Sequence, residues 1–182
     1  MKNKSQGFGL AEWGHVATII IAVLALTISV WTLKENRDFN RLSFKPFLVL
    51  TSYITNLERS DGIYVTNNGT GPAIIKKFEL FVRDKKVRTE NLNVFAEDLA
   101  KYGNIGDIQI IISNISNGSV LRKDASQYIF VLANKSTNLT MEHMERFSNL
   151  IRDTRVTIEY DSFYGESFKK SQDDFSVPIV LP

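Results

Sequence analysis

The 182-residue sequence contains no cysteine and only two histidines. The lack of cysteine excludes disulfides, thiolate zinc sites, iron–sulfur clusters and cysteine nucleophiles. Neither sign of charge dominates, since 22 Lys and Arg stand against 20 Asp and Glu, and this balance argues against a nucleic-acid partner. A hydrophobic fraction of 43% excludes a wholly disordered chain. The length then predicts one folded domain with an appendage.

One long segment has no charge at all. Between Glu12 and Lys34 the 21 residues Trp13 to Leu33 carry no Asp, Glu, Lys or Arg. As a helix they span about 31 Å, which matches a hydrocarbon core of about 30 Å. Trp13 and Trp31 would lie near the two interfaces, where tryptophan is enriched. We therefore predict a transmembrane helix at 13–33, preceded by an N-terminal tail at 1–12.

Two other structures could contain an apolar run of this kind. A buried core helix is disfavoured because the run is too uniformly apolar to be amphipathic. A cleaved secretory signal is disfavoured because the run exceeds the usual signal length and Ser29-Val-Trp31 lacks the small-x-small pattern of a cleavage site. We expect an uncleaved anchor.

The charges divide between the two parts of the chain. Residues 1–45 carry a net charge of +3 and residues 46–182 a net charge of −1, so the basic excess flanks the predicted helix. This distribution is typical of anchoring beside anionic lipid headgroups. More basic residues follow the helix than precede it, and the positive-inside rule then places the C-terminal domain in the cytoplasm, with the opposite orientation left open.

Residues 46–182 read as an antiparallel β domain. Residues 34–45 continue the helix as a juxtamembrane linker until Pro46 disfavours helix at the residue before it. The first strand, 47–54, is apolar on both faces and is predicted to be central in its sheet. Asn68-Gly69 between two β-rich runs predicts a hairpin, and Gly71-Pro72 makes its connection longer than a two-residue turn. Further strands are predicted at 108–112, 119–121, 127–132, 155–161 and 174–181.

Two short helices interrupt these strands. Phe95, Leu99 and Tyr102 have helical spacing within Asn93–Tyr102. A second helix carries the apolar stripe Met141, Met144, Phe147 and Ile151, with Thr140 as N-cap. The fold class is therefore mainly β: an immunoglobulin-like antiparallel β-sandwich with one or two short helices, preceded by a single transmembrane helix.

The sequence offers few groups that could perform chemistry. His143 is the only histidine outside the predicted span, and it lacks the His-Glu-x-x-His spacing of a zinc site. A hydrolase that uses His143 is conceivable, but a solvent-facing position on a helix is the favoured interpretation of this residue. The adjacent carboxylates Glu97-Asp98 and Asp173-Asp174 should point apart. We predict no catalytic, cofactor-binding or metal-binding residues and no cofactor.

The string Tyr160-Asp-Ser-Phe-Tyr-Gly-Glu-Ser167 places three aromatic residues beside polar ones. Aromatic rings supply contact area at low entropic cost, so the string could form a recognition surface. The alternative is a hairpin turn at Tyr164-Gly165 whose aromatic side chains close one end of the sandwich.

Three strings resemble a group of small bacterial single-span membrane proteins of unassigned function. They are Asn40–Pro46, Asn67–Lys76 and Tyr160–Glu166, in the same order as in that group. The resemblance implies a membrane-anchored β domain in a bacterial cytoplasmic (inner) membrane and brings no catalytic residues with it.

The N-terminus separately resembles a type IV prepilin leader. In that family a peptidase cuts after the glycine, the new N-terminal phenylalanine is methylated, and a glutamate five residues into the mature chain aids assembly. Gly7, Phe8 and Glu12 occupy these positions. However, the pilin helix normally runs well past the position of Pro46, and the predicted strands exceed the single small sheet of a pilin.

We therefore expect a membrane-anchored binding protein without catalytic activity. Its partners would be the lipid bilayer and one or more proteins, and not nucleic acid. A type IV minor pilin or pseudopilin processed after Gly7 is the main alternative, and a hydrolase using His143 is the second.

Overall fold

The computed structural model describes residues 10–54, 60–133, 139–172 and 179–181, with the backbone alone for 10–12 and 179–181. Helix α1 runs without interruption from Leu10 to Ser43. Four hydroxyl groups within its apolar part each donate to the backbone carbonyl oxygen four residues earlier, at 2.8–2.9 Å. They belong to Thr18, Thr27, Ser29 and Thr32. Within the described ranges one helix is long and apolar enough to cross a membrane, with a mean hydropathy of 2.4.

The chain forms two compact units, Met1–Leu42 and Ser43–Pro182. The second unit therefore begins three residues before Pro46, the predicted start of the β domain. Its described strands are β1 (Leu48–Tyr53), β2 (Gly62–Asn67), β3 (Ala73–Val82), β4 (Lys85–Val87), β5 (Ile110–Ile112), β6 (Val120–Leu121), β7 (Ser126–Leu132), β8 (Thr154–Asp161), β9 (Ser167–Ser171) and β10 (Ile179–Leu181). Its helices are α2 (Leu92–Gly103) and α3 (Met141–Asp153).

These strands form two antiparallel sheets. The first has the order β1-β2-β7-β5 and the second the order β10-β9-β8-β3-β4, with β6 pairing to the start of β3. In β8 the buried positions alternate with more exposed ones, and Val156, Ile158 and Tyr160 face the core as their spacing predicts. A mainly β domain after an apolar helix is thus confirmed, whereas the finer assignment to an immunoglobulin-like sandwich stays a prediction.

In the part of the chain that the structure describes, one hydrophobic core joins the two sheets and the two short helices. It includes Ile63 and Phe130 of the first sheet and Leu80 of the second. The ring of Phe147 in α3 meets the ring of Phe130 edge-on, with centroids 6.2 Å apart. Thr140 caps α3 as predicted. Phe147 and Ile151 of the predicted α3 stripe are therefore part of the core and Met144 packs against it, whereas the prediction is wrong for Met141, which is 87% exposed.

The prediction that the first strand is central is wrong. Among the described residues β1 pairs only with β2, so it is an edge strand. Of its six residues Leu48 alone is fully buried. The apolar character of β1 has a different explanation, because β1 also packs against β9 of the second sheet.

The predicted hairpin at Asn68-Gly69 is also wrong. Strand β2 belongs to the first sheet and β3 to the second, so the segment Asn67–Pro72 crosses between sheets. A two-residue hairpin of the favoured type needs positive φ at both central residues. Neither Asn68 nor Gly69 has positive φ, whereas Arg83 (φ 50°) and Asp84 (φ 63°) do, and these two residues form the tight β3–β4 turn.

The predicted strand at 174–181 falls only partly within the described residues. Its last three residues form β10, which pairs with β9. Residues 173–178, with the pair Asp173-Asp174, lie outside the described ranges.

Candidate functional site

One end of the β domain gathers the starts and ends of several strands. We call it the junction end, because the chain enters the domain there directly after α1. It consists of Phe44–Phe47, the crossing segment Asn67–Pro72, the turn Val120–Ala125 and the β8–β9 turn Ser162–Glu166. Strand register brings these pieces together, since Ile74 at the start of β3 lies between Val120 of β6 and Asp161 at the end of β8.

The side chain of Asn67 holds the junction end together. It is fully buried. Its Oδ1 accepts hydrogen bonds from the backbone N–H groups of Phe47 (3.1 Å) and Gly69 (3.0 Å). Its Nδ2 donates to the carbonyl oxygens of Gly71 (2.8 Å) and Leu121 (3.0 Å). The amide thereby uses both lone pairs and both protons, and it links the start of β1, the crossing segment and β6.

The crossing segment is also hydrogen-bonded to the chain just after α1. The backbone N–H groups of Thr70 and Gly71 both donate to the carbonyl oxygen of Lys45, at 3.0 and 3.3 Å. A Cβ atom on Gly69 would overlap the backbone of Lys45 and Phe47, and one on Gly71 would overlap the backbone carbonyl of Phe44. Both glycines are therefore required by a close approach of two backbones and not by a tight turn.

Tyr160 attaches the second sheet to this junction. It is fully buried and stacks on Phe168 with ring centroids 5.4 Å apart. The backbone N–H of Leu48 donates to its hydroxyl oxygen at 3.4 Å. Burial raises the pKa of the Tyr160 hydroxyl to about 12, only partly opposed by that hydrogen bond. The three strings that carry the family resemblance in sequence thus meet in space.

The β8–β9 turn presents two aromatic rings to solvent. The buried Ser162 hydroxyl accepts hydrogen bonds from the backbone N–H groups of Tyr164 (3.2 Å) and Glu166 (3.1 Å). Phe163 and Tyr164 are 70% and 42% exposed. The predicted hairpin at Tyr164-Gly165 is confirmed, with Gly165 at φ 81°. The prediction that its aromatic residues close the core is right for Tyr160 and wrong for the two at the tip.

The opposite, distal end of the domain carries a polar cleft. The arginine cleft has a volume of about 220 Å³ and is lined by Arg83, Asp84, Arg152, Asp153, Thr154 and Arg155. Arg83 pairs with Asp153 at 2.7 Å and Arg155 with Asp84 at 3.5 Å. Side chains of all three arginines are exposed, so their guanidinium groups remain within reach of a ligand.

His143 serves as a helix cap. Its Nδ1 accepts the backbone N–H of Thr140 at 3.1 Å, while the Thr140 hydroxyl accepts the backbone N–H of His143 at 3.3 Å. Its Nε2 lies 3.2 Å from the Asp107 carboxylate, which also accepts from Arg146. The Arg146 guanidinium lowers the pKa of the Asp107 carboxyl. Both ring nitrogens are thus engaged in holding the start of α3.

The adjacent carboxylates Glu97 and Asp98 point apart, as predicted. Glu97 is exposed, whereas Asp98 is buried and accepts from the backbone N–H (3.0 Å), Nε (2.9 Å) and a terminal nitrogen (2.7 Å) of Arg88. The Arg88 guanidinium lowers the pKa of the Asp98 carboxyl to about 2. This pair fastens α2 to the segment after β4. Among the described residues no group of three or more His, Cys, Asp or Glu side chains could hold a metal ion.

The comparison with protein families adds one finding. Residues 11–177 match the family model "Domain of unknown function (DUF8453)". The chain belongs to this family. The match takes in both the apolar helix and the β domain, while Gly7 and Phe8 of the prepilin-like leader precede it. No curated protein and no solved structure matches the chain.

Sequence reasoning missed two of the features described above. Arg83 precedes Arg152 by 69 positions and Arg155 by 72, and the β3–β8 pairing brings it beside them. The hairpin prediction also gives Asn67 no role beyond the connection, whereas its buried side chain makes four hydrogen bonds. The extra length that Gly71-Pro72 gives this connection is compatible with a long hairpin as well as with a crossing between sheets, so it does not distinguish the two.

Proposed function

We propose that this chain is a single-pass, membrane-anchored binding protein that acts without catalysis. The observation that carries this proposal is the exposed surface of α1. None of its most apolar window is buried within the protein, and Ile19, Leu24 and Trp31 are each more than half exposed. Burial of one such side chain is worth about 1.5–3 kcal/mol, so a helix with this surface is stable in lipid and not in water.

The proposal places α1 in a bacterial cytoplasmic membrane as an uncleaved anchor, with the β domain in the cytoplasm. Support comes from the family match across helix and domain and from the basic residues that follow the apolar run. The immunoglobulin-like sandwich belongs to the same proposal, supported by the core that both sheets share. A reporter fused to the C-terminus tests the orientation. We expect a reporter that works only in the cytoplasm to be active, and activity of a reporter that works only outside the cytoplasm would reverse the orientation.

The anchor is tested by placing charge in the apolar run. A charged residue at the centre of a span costs about 2.5–3.5 kcal/mol of insertion. We expect the wild-type chain to stay in the membrane pellet after alkaline carbonate washing, and the double variant Leu24→Arg, Ile28→Arg to shift to the soluble fraction. The matched variant Phe39→Arg lies beyond the apolar run and should stay in the pellet. Release of the wild-type chain by carbonate would contradict the anchor.

The arginine cleft is the proposed binding site for a protein partner. Exposed ion pairs such as Arg83–Asp153 contribute about 0–1 kcal/mol, so an incoming carboxylate can replace them at low cost. The planar guanidinium groups of Arg152 and Arg155 suit bidentate recognition of carboxylates. We therefore propose an acidic segment of another protein as the ligand.

A photocrosslinking residue at position 85, which follows the lining residue Asp84 and leaves all three arginines in place, tests this site in cells. We expect one discrete protein adduct that the additional variant Arg155→Glu removes, because reversal of the charge repels an acidic ligand. The matched variant Lys77→Glu, six residues before Arg83 in β3 and outside both the cleft and the junction end, should leave the adduct unchanged. An adduct that persists with Arg155→Glu would contradict recognition through the cleft.

A further inference from the structure

Exposed apolar side chains are grouped at the junction end of the domain. Phe44, Phe47, Val120, Phe163 and Tyr164 are 47%, 37%, 56%, 70% and 42% exposed. Single exposed apolar residues are ordinary on a protein surface, whereas a group of five at one end marks an interaction surface.

The β8–β9 turn, which carries Phe163 and Tyr164, is stabilised by hydrogen bonds that do not involve the two rings. Ser162 fixes its backbone through the N–H groups of Tyr164 and Glu166, and the N–H of Ser162 donates to the Glu166 carbonyl at 2.8 Å. The rings of Phe163 and Tyr164 meet edge-on, with centroids 5.6 Å apart. The turn therefore presents two aromatic side chains on a fixed backbone, which lowers the entropic cost of binding.

Basic side chains accompany these rings. The junction end contains Lys45, Arg122 and Lys123 and also Asp124 and Glu166, so its charged side chains carry a net charge of +1. Asp161 beside it is paired with Lys76 at 3.1 Å. Aromatic residues with Lys and Arg around them are the pattern of surfaces that lie in the membrane interface, where rings enter the acyl boundary and cations meet anionic headgroups.

The connection of the junction end to α1 through the chain indicates which surface it would meet. The apolar run of α1 ends at Leu33 and α1 itself ends at Ser43, so the connecting helical stretch measures about 15 Å. Phe44 and Lys45, the next two residues, already belong to the junction end. If α1 spans the bilayer, this tether keeps the junction end at a high effective concentration beside the headgroups.

We infer that the junction end docks on the anionic headgroup surface of the membrane that α1 spans, with Phe163 and Tyr164 inserted into the interface. This inference rests on the proposed membrane anchor. It adds a second membrane contact, which would hold the domain in one orientation and leave the distal arginine cleft facing away from the lipid.

Site-directed nitroxide labelling tests the docking, because a chain without cysteine accepts one label at one chosen position. Three single variants of the full chain are reconstituted, one chain per nanodisc, in lipid containing phosphatidylglycerol: Ala25→Cys in α1, Tyr164→Cys at the tip, and Lys85→Cys at the distal end. The measured quantity is the ratio of label accessibility to oxygen, which concentrates in lipid, and to a water-soluble nickel chelate.

We expect a high ratio at position 25, a ratio at position 164 several-fold above that at position 85, and a low ratio at position 85. A high ratio at 25 with equal ratios at 164 and 85 would overturn docking and leave the anchor standing. A low ratio at 25 would overturn the anchor itself. A parallel preparation with two chains per disc tests for a second copy: shielding of position 164 there, but not in discs with one chain, would assign the surface to that copy and overturn the lipid assignment.

A second variant separates insertion of the rings from folding. In the Tyr164→Cys background, Phe163→Ser should lower the ratio at 164 towards the value at 85, because the remaining apolar contact is lost. The same Phe163→Ser change in the Lys85→Cys background should leave the spectral mobility of the label at 85 unchanged, which checks that the domain stays folded. Phosphatidylcholine in place of phosphatidylglycerol should also lower the ratio at 164. An unchanged ratio after Phe163→Ser would contradict insertion of the tip.

Discussion

Asn67 joins three segments of the chain through four hydrogen bonds, although it is one buried side chain. A buried amide with every donor and acceptor satisfied specifies one arrangement of its neighbours, because any other arrangement leaves a polar group unpaired. The segment after α1 and the crossing segment are therefore held in a single relative position.

The variant Asn67→Asp tests this role with almost no change of shape. A carboxylate at this position loses two donors and faces the carbonyl oxygens of Gly71 and Leu121, so we expect a loss of about 2–4 kcal/mol in the free energy of unfolding at pH 7. The neighbouring Asn68 is exposed, and Asn68→Asp should change stability by less than about 0.5 kcal/mol. Urea titration of the detergent-solubilised chain, followed by pulse proteolysis, measures both. Equal stability of the two variants would contradict the role of Asn67.

Asp98 gives the fold a defined dependence on pH. Its folded pKa of about 2 lies below the value of about 3.9 in an unfolded chain. The pair with Arg88 therefore stabilises the fold fully above pH ~4, and its contribution of about 2 kcal/mol is lost as pH falls towards 2.

Asp98→Asn should lower the free energy of unfolding by about 2 kcal/mol at pH 7, and the difference from the wild type should shrink as pH falls from about 5 to 2. The exposed neighbour provides the control, since Glu97→Gln should have little effect at any pH. Urea titrations at several pH values give the result. A difference that is independent of pH would show that the carboxylate charge is not the source of the stability.

At the scale of elements, the crossing segment Asn67–Pro72 shows a limit of local pattern. Asn-Gly indicates a hairpin when the two flanking strands pair with each other. Here β2 pairs with β1 and β7, and β3 pairs with β8, so the partners of each strand lie far away in sequence. Gly69 and Gly71 allow the backbone of Phe44–Phe47 to pack closely against this segment. The local sequence gives no sign of that contact, because the two segments are 20 or more positions apart.

Gly71→Ala tests this close approach. A methyl group would overlap the backbone carbonyl of Phe44, and we expect a loss of about 1–3 kcal/mol with faster hydrogen exchange at the Thr70 and Gly71 backbone amides. Gly106→Ala is the matched control, because a methyl group there meets open space. It should be neutral or slightly stabilising. Unchanged exchange at position 70 would contradict the packing of the two segments.

Helices and half-buried strands were predictable because their signals are local. Thr140 and the apolar stripe of α3 define a capped helix without reference to the rest of the chain. The alternation in β8 needs only its own residues. The position of β1 at the edge of its sheet could not be predicted. Strand β1 packs against β9 of the other sheet, and it therefore has apolar residues on both faces, as a central strand does.

At the scale of the whole molecule, the division of charge and the apolar run predict a helix followed by a β domain, and the structure confirms this order. The two candidate surfaces lie at opposite ends of β3, whose ten residues span about 30 Å. The junction end has exposed rings and the distal end has arginines. This polarity matches a domain held at a membrane by one end while the other end meets a partner.

The state of the N-terminus tests the membrane anchor most directly. We predict that intact-mass spectrometry of the chain, extracted from carbonate-washed bacterial membranes, gives the full-length sequence with α1 attached to the domain. A mass that begins at a methylated Phe8 would assign the chain to the prepilin pathway. A domain without α1, found in the soluble fraction, would identify the helix as a cleaved signal and would contradict the anchor.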